Sequence, residues 1–232
     1  MRPPWLLDEL THAGPEHLDP AFVDNFDRKQ GFPDPTPDLD ILAGLGVGPT
    51  ATVVDLGAGT GQFTFAAASL HRHVVAVDVS SVMVEQLRRR AHEARSANVE
   101  VVQAGFLDYE HTGSPADAVH TRHALHQLPD FWKALALQRI AGMLRPGGVL
   151  RLRDLIYDFG PAEAPELFAQ WLANAGTDAA IGYTADDYAE HIRTEHSTFR
   201  WLFEPMLDAA GFDVVDVEFT GAFFGAYTCR RR

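Results

Sequence analysis

The chain has 232 residues, a net charge of −13 and a single cysteine, with 46% hydrophobic and 22% charged residues. This length can bury one sizeable core, and the composition is that of an ordinary globular protein. The acidic balance argues against nucleic acid, whose binding needs a basic excess, and no run nears the roughly 18 apolar residues of a membrane span.

In chain order, residues 1–50 are rich in Pro, Asp and Gly and read as a helical N-terminal cap, with helices at 20–29 and 38–45. The opening Met1-Arg2-Pro3-Pro4-Trp5 lacks a signal peptide's apolar core, and Cys229 alone allows no internal disulfide, so a reducing cytoplasm is expected. The second unit, 51–232, alternates short apolar runs with helical patterns, as a parallel sheet covered on both faces does. Strands are expected at 51–56, 73–78, 99–104, 118–121 and 149–155. The helix at 62–70 is apolar nearly all round and should be buried. Ser80 or Ser81 caps the next helix, which carries Val84, Leu87 and Ala91 on one face. Arg88-Arg89-Arg90 at its end and the terminal Arg230-Arg231-Arg232 read as solvated runs. Asp130 caps a further helix, and Arg145-Pro146-Gly147-Gly148 stops it. Residues 157–210 are mostly helical and polar, and form a lid. The runs 212–219 and 223–229, parted by Thr220-Gly221-Ala222, make an antiparallel hairpin. The fold expected is α/β, a Rossmann-like doubly wound sheet of seven strands, the last antiparallel, with a helical lid insertion.

Between the first strand and its helix lies Val53-Val54-Asp55-Leu56-Gly57-Ala58-Gly59-Thr60-Gly61. Glycines at alternate positions allow positive φ and close approach of a ligand. A dinucleotide loop places its third glycine one residue later, where this chain has Gln62, so the tighter loop suits a carboxylate better than a pyrophosphate. Asp78 ends the second strand, where an acid accepts from ribose hydroxyls or caps the next helix. Asp55 ends the first strand, either against the ligand or as a buried structural acid.

These segments, with Val77-Asp78-Val79-Ser80-Ser81-Val82-Met83 and Leu144-Arg145-Pro146-Gly147-Gly148-Val149-Leu150, resemble the class I S-adenosylmethionine (SAM)-dependent methyltransferases. The nearest flavour is the small-molecule group that includes quinone-biosynthesis enzymes. The resemblance implies SAM as cofactor and a small-molecule acceptor. It also implies that Gly57, Gly59 and Gly61 wrap the methionine end with help from Asp55, and that Asp78 holds the ribose. Val79, Met83, Gly105 and Phe106 would surround the adenine, and the backbone near Thr121 and Arg122 would meet the ammonium. Many relatives carry an acid where Gly105 stands, so the acceptor for the adenine amino group must come from elsewhere, such as Asp108, a carbonyl or water.

The acceptor is expected beyond strands four and five. His123 and His126 are candidate general bases or polar loop residues. The spacing of His120, His123 and His126 does not put three ligands on one face, so no metal is expected. Asp154 is a candidate catalytic carboxylate or the partner of Arg122 or Arg153. Tyr157, His191, His196 and Trp201 are candidate substrate contacts from the lid, although aromatics at such spacing also build cores, and Trp5, Phe22 and Phe26 could close the other side. The partners expected are thus a small-molecule acceptor, no nucleic acid, no membrane, and a homodimer at most. The competing readings are a SAM-binding cyclase or isomerase and a non-catalytic SAM-binding protein.

Overall fold

The computed structural model describes residues 3–232, apart from the side chains of residues 15, 16 and 24. Strands β1 (Thr52–Leu56), β2 (His73–Asp78), β3 (Val99–Gln103), β4 (Ala116–Arg122), β5 (Leu144–Tyr157), β6 (Thr198–Phe199), β7 (Phe212–Thr220) and β8 (Phe224–Arg231) surround the core. The main sheet runs β3-β2-β1-β4-β5-β8-β7, with β1 to β5 parallel and β8 antiparallel to both of its neighbours. The seven expected strands are therefore present, with the last one reversed. The two-residue β6, which pairs with the end of β5, is an addition. It is too short to leave a periodic signal.

Side chains on opposite faces of the sheet feed separate cores, as the two-residue period of a strand requires. Val54, Leu56, Val75 and Val77 pack with Leu137, Ile140, Phe203 and Leu207. Val53, Val74, Ala118 and Val149 pack with Leu39, Leu42, Phe63 and Ala67 on the other side. The helices are α1 (Pro20–Lys29), α2 (Thr36–Gly44), α3 (Gln62–Ala68), α4 (Ser81–Glu93), α5 (Asp130–Met143), α6 (Ala164–Ala173), α7 (Ala185–Thr194) and α8 (Arg200–Ala209). Asp19 caps α1 through Ala21 N–H, and Ser80 caps α4 through Met83 N–H. Thr184 and Asp187 form a reciprocal capping box on α7, which fixes where the lid helix starts.

Three local expectations are corrected. Asp130 is the first residue of α5 and makes no cap; its carboxylate instead accepts from Lys133 Nζ and Thr198 Oγ1, tying α5 to the lid. Arg145-Pro146-Gly147-Gly148 lies inside β5 as a register irregularity, because Leu144 pairs with Ala116 before Val149 pairs with Ala118. The basic runs are partly structural. Arg230 donates to the carbonyls of Gly147 and Leu45, and Arg90 turns back beneath the glycine loop.

One buried polar network crosses from the N-terminal cap to the sheet. Arg151, fully buried, donates through Nε to Asp38 Oδ1 at 2.7 Å and through Nη1 to Thr228 Oγ1 at 2.9 Å. His120 stands beside it, with Nδ1 2.8 Å from Asp55 Oδ1 and its ring stacked on Phe63 at 3.6 Å. α2 is thereby bound to strands that the chain reaches far later.

Candidate active site

The glycine loop leaves β1 at the carboxyl edge of the sheet. Gly57, Gly59 and Gly61 have φ of 69°, 55° and 89°, which side chains rarely adopt. A Cβ on Gly57 would stand 2.4 Å from Ala124 Cβ, and one on Gly61 2.6 Å from the Phe65 ring. The loop is held from both ends. Val77 C=O accepts from the N–H groups of Gly57 and Ala58, and Asp78 Oδ2 accepts from Gly59 N–H at 2.8 Å. Asp78 Oδ1 also accepts from Ser80 N–H, so this buried carboxylate clamps the loop against β2. Burial raises its pKa against these two hydrogen bonds.

Beneath the loop, Thr60 Oγ1 bonds Asp27 of α1, and Arg90 donates to Thr60 C=O at 2.6 Å and pairs with Asp27 at 3.3 Å. Nothing in the sequence links these three residues, which lie 33 and 30 positions apart. Asp55 uses both oxygens inside the protein, accepting from Thr64 Oγ1 at 2.6 Å and contacting His120.

A cavity opens over the loop. Asp55, Gly57, Gly59, Asp78, Val79, Met83, Gly105, Phe106 and Arg122 all line it, so the expected cofactor residues converge there, apart from Gly61, which shapes the turn behind. Glu9, from the N-terminal cap, completes this wall and was not a candidate in the sequence. Its carboxylate is buried and accepts from Phe106 N–H at 2.8 Å and Leu107 N–H at 2.6 Å. A Cβ at Gly105 would lie 2.4 Å from that carboxylate's carbon, so the glycine is what admits the acid. Asp108 is turned away and accepts from Gly105 N–H instead.

A second cavity of about 990 Å³ lies under the lid, a size that encloses a small organic molecule. His126, Asp154, His191 and His196 line it, as do Phe22 and Phe26. The two cavities share Arg122, His123 and Gln127, so they meet at the end of β4. Lys29 of α1 pairs with Asp187 of the lid at 2.9 Å, and Gln30 bonds Tyr183 at 2.6 Å, joining two walls of this cavity.

Tyr157 and Trp201 are corrections, since neither lines either of these two cavities. Tyr157 is buried among Phe159, Phe168, Phe199 and Phe223 as the lid's own core. Trp201 is 54% exposed and stacks on Phe199. Trp5 is likewise elsewhere, stacked on Trp132.

The histidines diverge. His120 lies between Asp38 and Asp55 and lines the glycine-loop cavity. His123 has φ of 48° at the end of β4, a strained conformation for a side chain of its size, and burial pushes its pKa down to about 3. It is a neutral imidazole whose buried Nδ1 has no hydrogen-bond partner. His126 is the reverse. Burial opposes its charge, but Asp154 at 2.5 Å and Glu195 at 2.9 Å outweigh that and push its pKa up to about 10. Both ring nitrogens of His126 thus face carboxylates, Nδ1 facing Asp154 and Nε2 facing Glu195. Asp154 pairs with neither Arg122 nor Arg153. It accepts from His126 Nδ1, His126 N–H and Leu155 N–H, which makes it the residue that positions His126.

The donor set suits SAM. The glycine cradle would be filled by any Cβ at 57, while Thr121 Oγ1, Arg122 Nε and His123 Nδ1 are buried polar atoms without hydrogen-bond partners beside it. Comparison with known proteins agrees. A methyltransferase-domain family model matches residues 53–148. Trans-aconitate 2-methyltransferase from Azoarcus sp. is 32% identical over 195 residues, covering 78% of this chain and 72% of that protein. The chain belongs to the class I SAM-dependent methyltransferases. A 27-O-demethylrifamycin SV methyltransferase from Amycolatopsis mediterranei is 27% identical over 61% of this chain, and the match spans about half of that relative, 52%. The solved magnesium protoporphyrin IX methyltransferase of Synechocystis, with bound SAM, shares the fold at a TM-score of 0.65 and 14% identity, covering 98% and 99% of the two chains.

In this methyltransferase Gly57→Ala should weaken SAM binding at least about 10-fold, because the new methyl drives the loop off Ala124 and adds roughly 1–2 kcal/mol of left-handed strain. Adding Ala124→Gly should recover part of the loss in calorimetry. No recovery would mean that the contact with Ala124 is irrelevant.

Proposed function

We propose that this methyltransferase moves the methyl group of SAM to an O, N or C atom of a small-molecule acceptor held in the lid chamber. The observation that carries this reading is the junction of two cavities, one built on the glycine loop and one under the lid, at Arg122, His123 and Gln127. Gly57 and Gly59 would take the methionine end, Asp78 the ribose, and Val79, Met83 and Phe106 the adenine. SAM supplies an electrophilic methyl group for in-line displacement.

The protein's own part is to hold donor and acceptor close and dry, which is worth on the order of 7–11 kcal/mol in favourable cases. The Lys29–Asp187 and Gln30–Tyr183 contacts hold the lid against α1 along the chamber. His123 stands at the junction as a neutral imidazole, able to hydrogen-bond an acceptor, while the burial that lowers its pKa to about 3 makes it a weak base. Trans-aconitate and 27-O-demethylrifamycin SV, in the names of the two relatives, are small molecules, and this supports the acceptor class. Among the described residues no helix is long and apolar enough to cross a membrane. Cytoplasmic small-molecule metabolism is the setting this reading assigns.

Glu9 takes the part of the acid that Gly105 lacks. Its carboxylate stands where a side chain at 105 would begin, on the adenine wall of the cavity. Glu9→Ala should weaken S-adenosylhomocysteine binding by about 10–100-fold, the range for a lost hydrogen bond to a charged group. Gly105→Asp placed in that background should restore it. Unchanged affinity in Glu9→Ala would remove the N-terminal cap from the site.

The reaction itself is tested by incubating the enzyme and SAM with candidate metabolites. Acceptor turnover should release S-adenosylhomocysteine together with a product one methyl group heavier. Turnover of an acceptor with SAM unconsumed would replace transfer by a non-methylating reaction.

A further inference from the structure

The lid brings three ligand-type atoms to one point in the chamber wall. His126 Nε2 lies 2.9 Å from Glu195 Oε2, and His191 Nδ1 closes on the same oxygen. The three atoms lie within 4.8 Å of one another. His126 comes from the turn after β4. His191 and Glu195 stand four residues apart at the end of α7 and so share one helix face. The far nitrogen of each ring is already engaged, His126 Nδ1 by Asp154 Oδ1 and His191 Nε2 by Ser197 Oγ at 2.9 Å.

A carboxylate only accepts, so the Asp154 contact places the N–H of a neutral His126 on Nδ1 and leaves a lone pair on Nε2. Gln127 Nε2, an amide donor, stands 3.3 Å from that same atom. Glu195 Oε2 is buried and makes no hydrogen bond of acceptable angle to either ring. With His126 neutral, three electron-pair donors therefore converge, and the cluster is completed either by a proton on a ring or by a metal ion.

We infer that His126, His191 and Glu195 form a binding site for one divalent transition-metal ion of the zinc type. Two imidazoles and a carboxylate are a nitrogen-rich set that suits zinc, whereas magnesium and calcium favour oxygen. Asp154 and Glu195 bring two negative charges to a buried place, and a divalent ion between neutral histidines balances them. Asp154 is the outer carboxylate that fixes the His126 tautomer, the usual partner of a metal-bound histidine. Three protein ligands leave a fourth position on the chamber side, as in catalytic rather than structural zinc sites. There the ion would bind and polarise an oxygen of the acceptor, which favours hydroxyl or carboxylate acceptors. The spacing argument against a metal concerned His120, His123 and His126. Two of the present ligands come instead from the lid, 65 and 69 positions beyond His126.

The site is tested without the methyl-transfer reaction. The full chain, stripped with a chelator, is titrated with Zn²⁺ by calorimetry and with Co²⁺ by visible absorption. One ion per chain and a tetrahedral Co²⁺ band are expected. Glu195→Gln and His191→Ala should each weaken Zn²⁺ at least about 10-fold, and Asp154→Asn about 10–100-fold. S-adenosylhomocysteine affinity should stay within about twofold in the partly exposed His191→Ala, which shows that the fold survives. Absence of saturable uptake, a preference for Mg²⁺, or full uptake in both His191→Ala and Glu195→Gln would overturn the assignment in favour of a proton on His126. None of these outcomes bears on SAM binding, so failure here is distinct from failure of the proposed function.

Discussion

Asp78→Ala should reduce SAM affinity by about 100-fold or more while the protein stays folded. Two effects combine. The carboxylate that would accept from the ribose hydroxyls is lost, at roughly 1.5–3 kcal/mol for each hydrogen bond to a charged group. Gly59 N–H also loses its acceptor, so the loop is no longer clamped against β2. Fold retention is expected because the hydrophobic clusters on both sheet faces do not include this side chain. Calorimetry with SAM and with S-adenosylhomocysteine measures the effect, and equal affinities for variant and parent would end the ribose assignment.

Arg151→Leu should destabilise the protein by about 3–5 kcal/mol, the cost of leaving one member of a buried ion pair alone. Asp38, 2% exposed, would keep only Arg153 Nε at 3.4 Å and His120 at 3.8 Å. At about 2–4 °C per kcal/mol for a chain of this size, the melting temperature should fall by roughly 6–20 °C. The double variant Asp38→Leu/Arg151→Leu should recover much of the loss, since an apolar replacement of both partners removes the stranded charge. A single variant that melts within about 2 °C of the parent would show the pair to be energetically idle. The pH sign follows from Asp38. Burial opposes its ionisation, but His120 and Arg151 outweigh this and hold its pKa below the usual carboxylate value. Its contribution is thus present above about pH 4 and fades as the pH falls below that. The acid limb of the stability curve should be shallower in the double variant.

What the sequence disclosed is what local physics encodes. β1 and its glycines declare themselves because an apolar run, an acid and three residues able to take positive φ are consecutive. The reversed β8 is legible from a short turn between two β-forming runs. What stayed hidden joins residues distant in the chain. Glu9 meets Phe106 across 97 positions, and Arg151 meets Asp38 across 113. Arg90 sits in a basic run whose neighbours are exposed, and its run gives no hint that it alone turns inward. Tyr157 and Trp201 show a different limit, because aromatic spacing does not distinguish a lid's own packing from a wall that meets substrate. His126 lines the lid cavity, and no local pattern announces Glu195, which reaches it from 69 positions away.

The Lys29–Asp187 and Gln30–Tyr183 contacts tie the first helix of the chain to the lid that follows the fifth strand. The two halves of the roof are therefore latched to each other as well as resting on the sheet. Loosening either segment would therefore be felt by the other, although about 150 residues separate them along the chain.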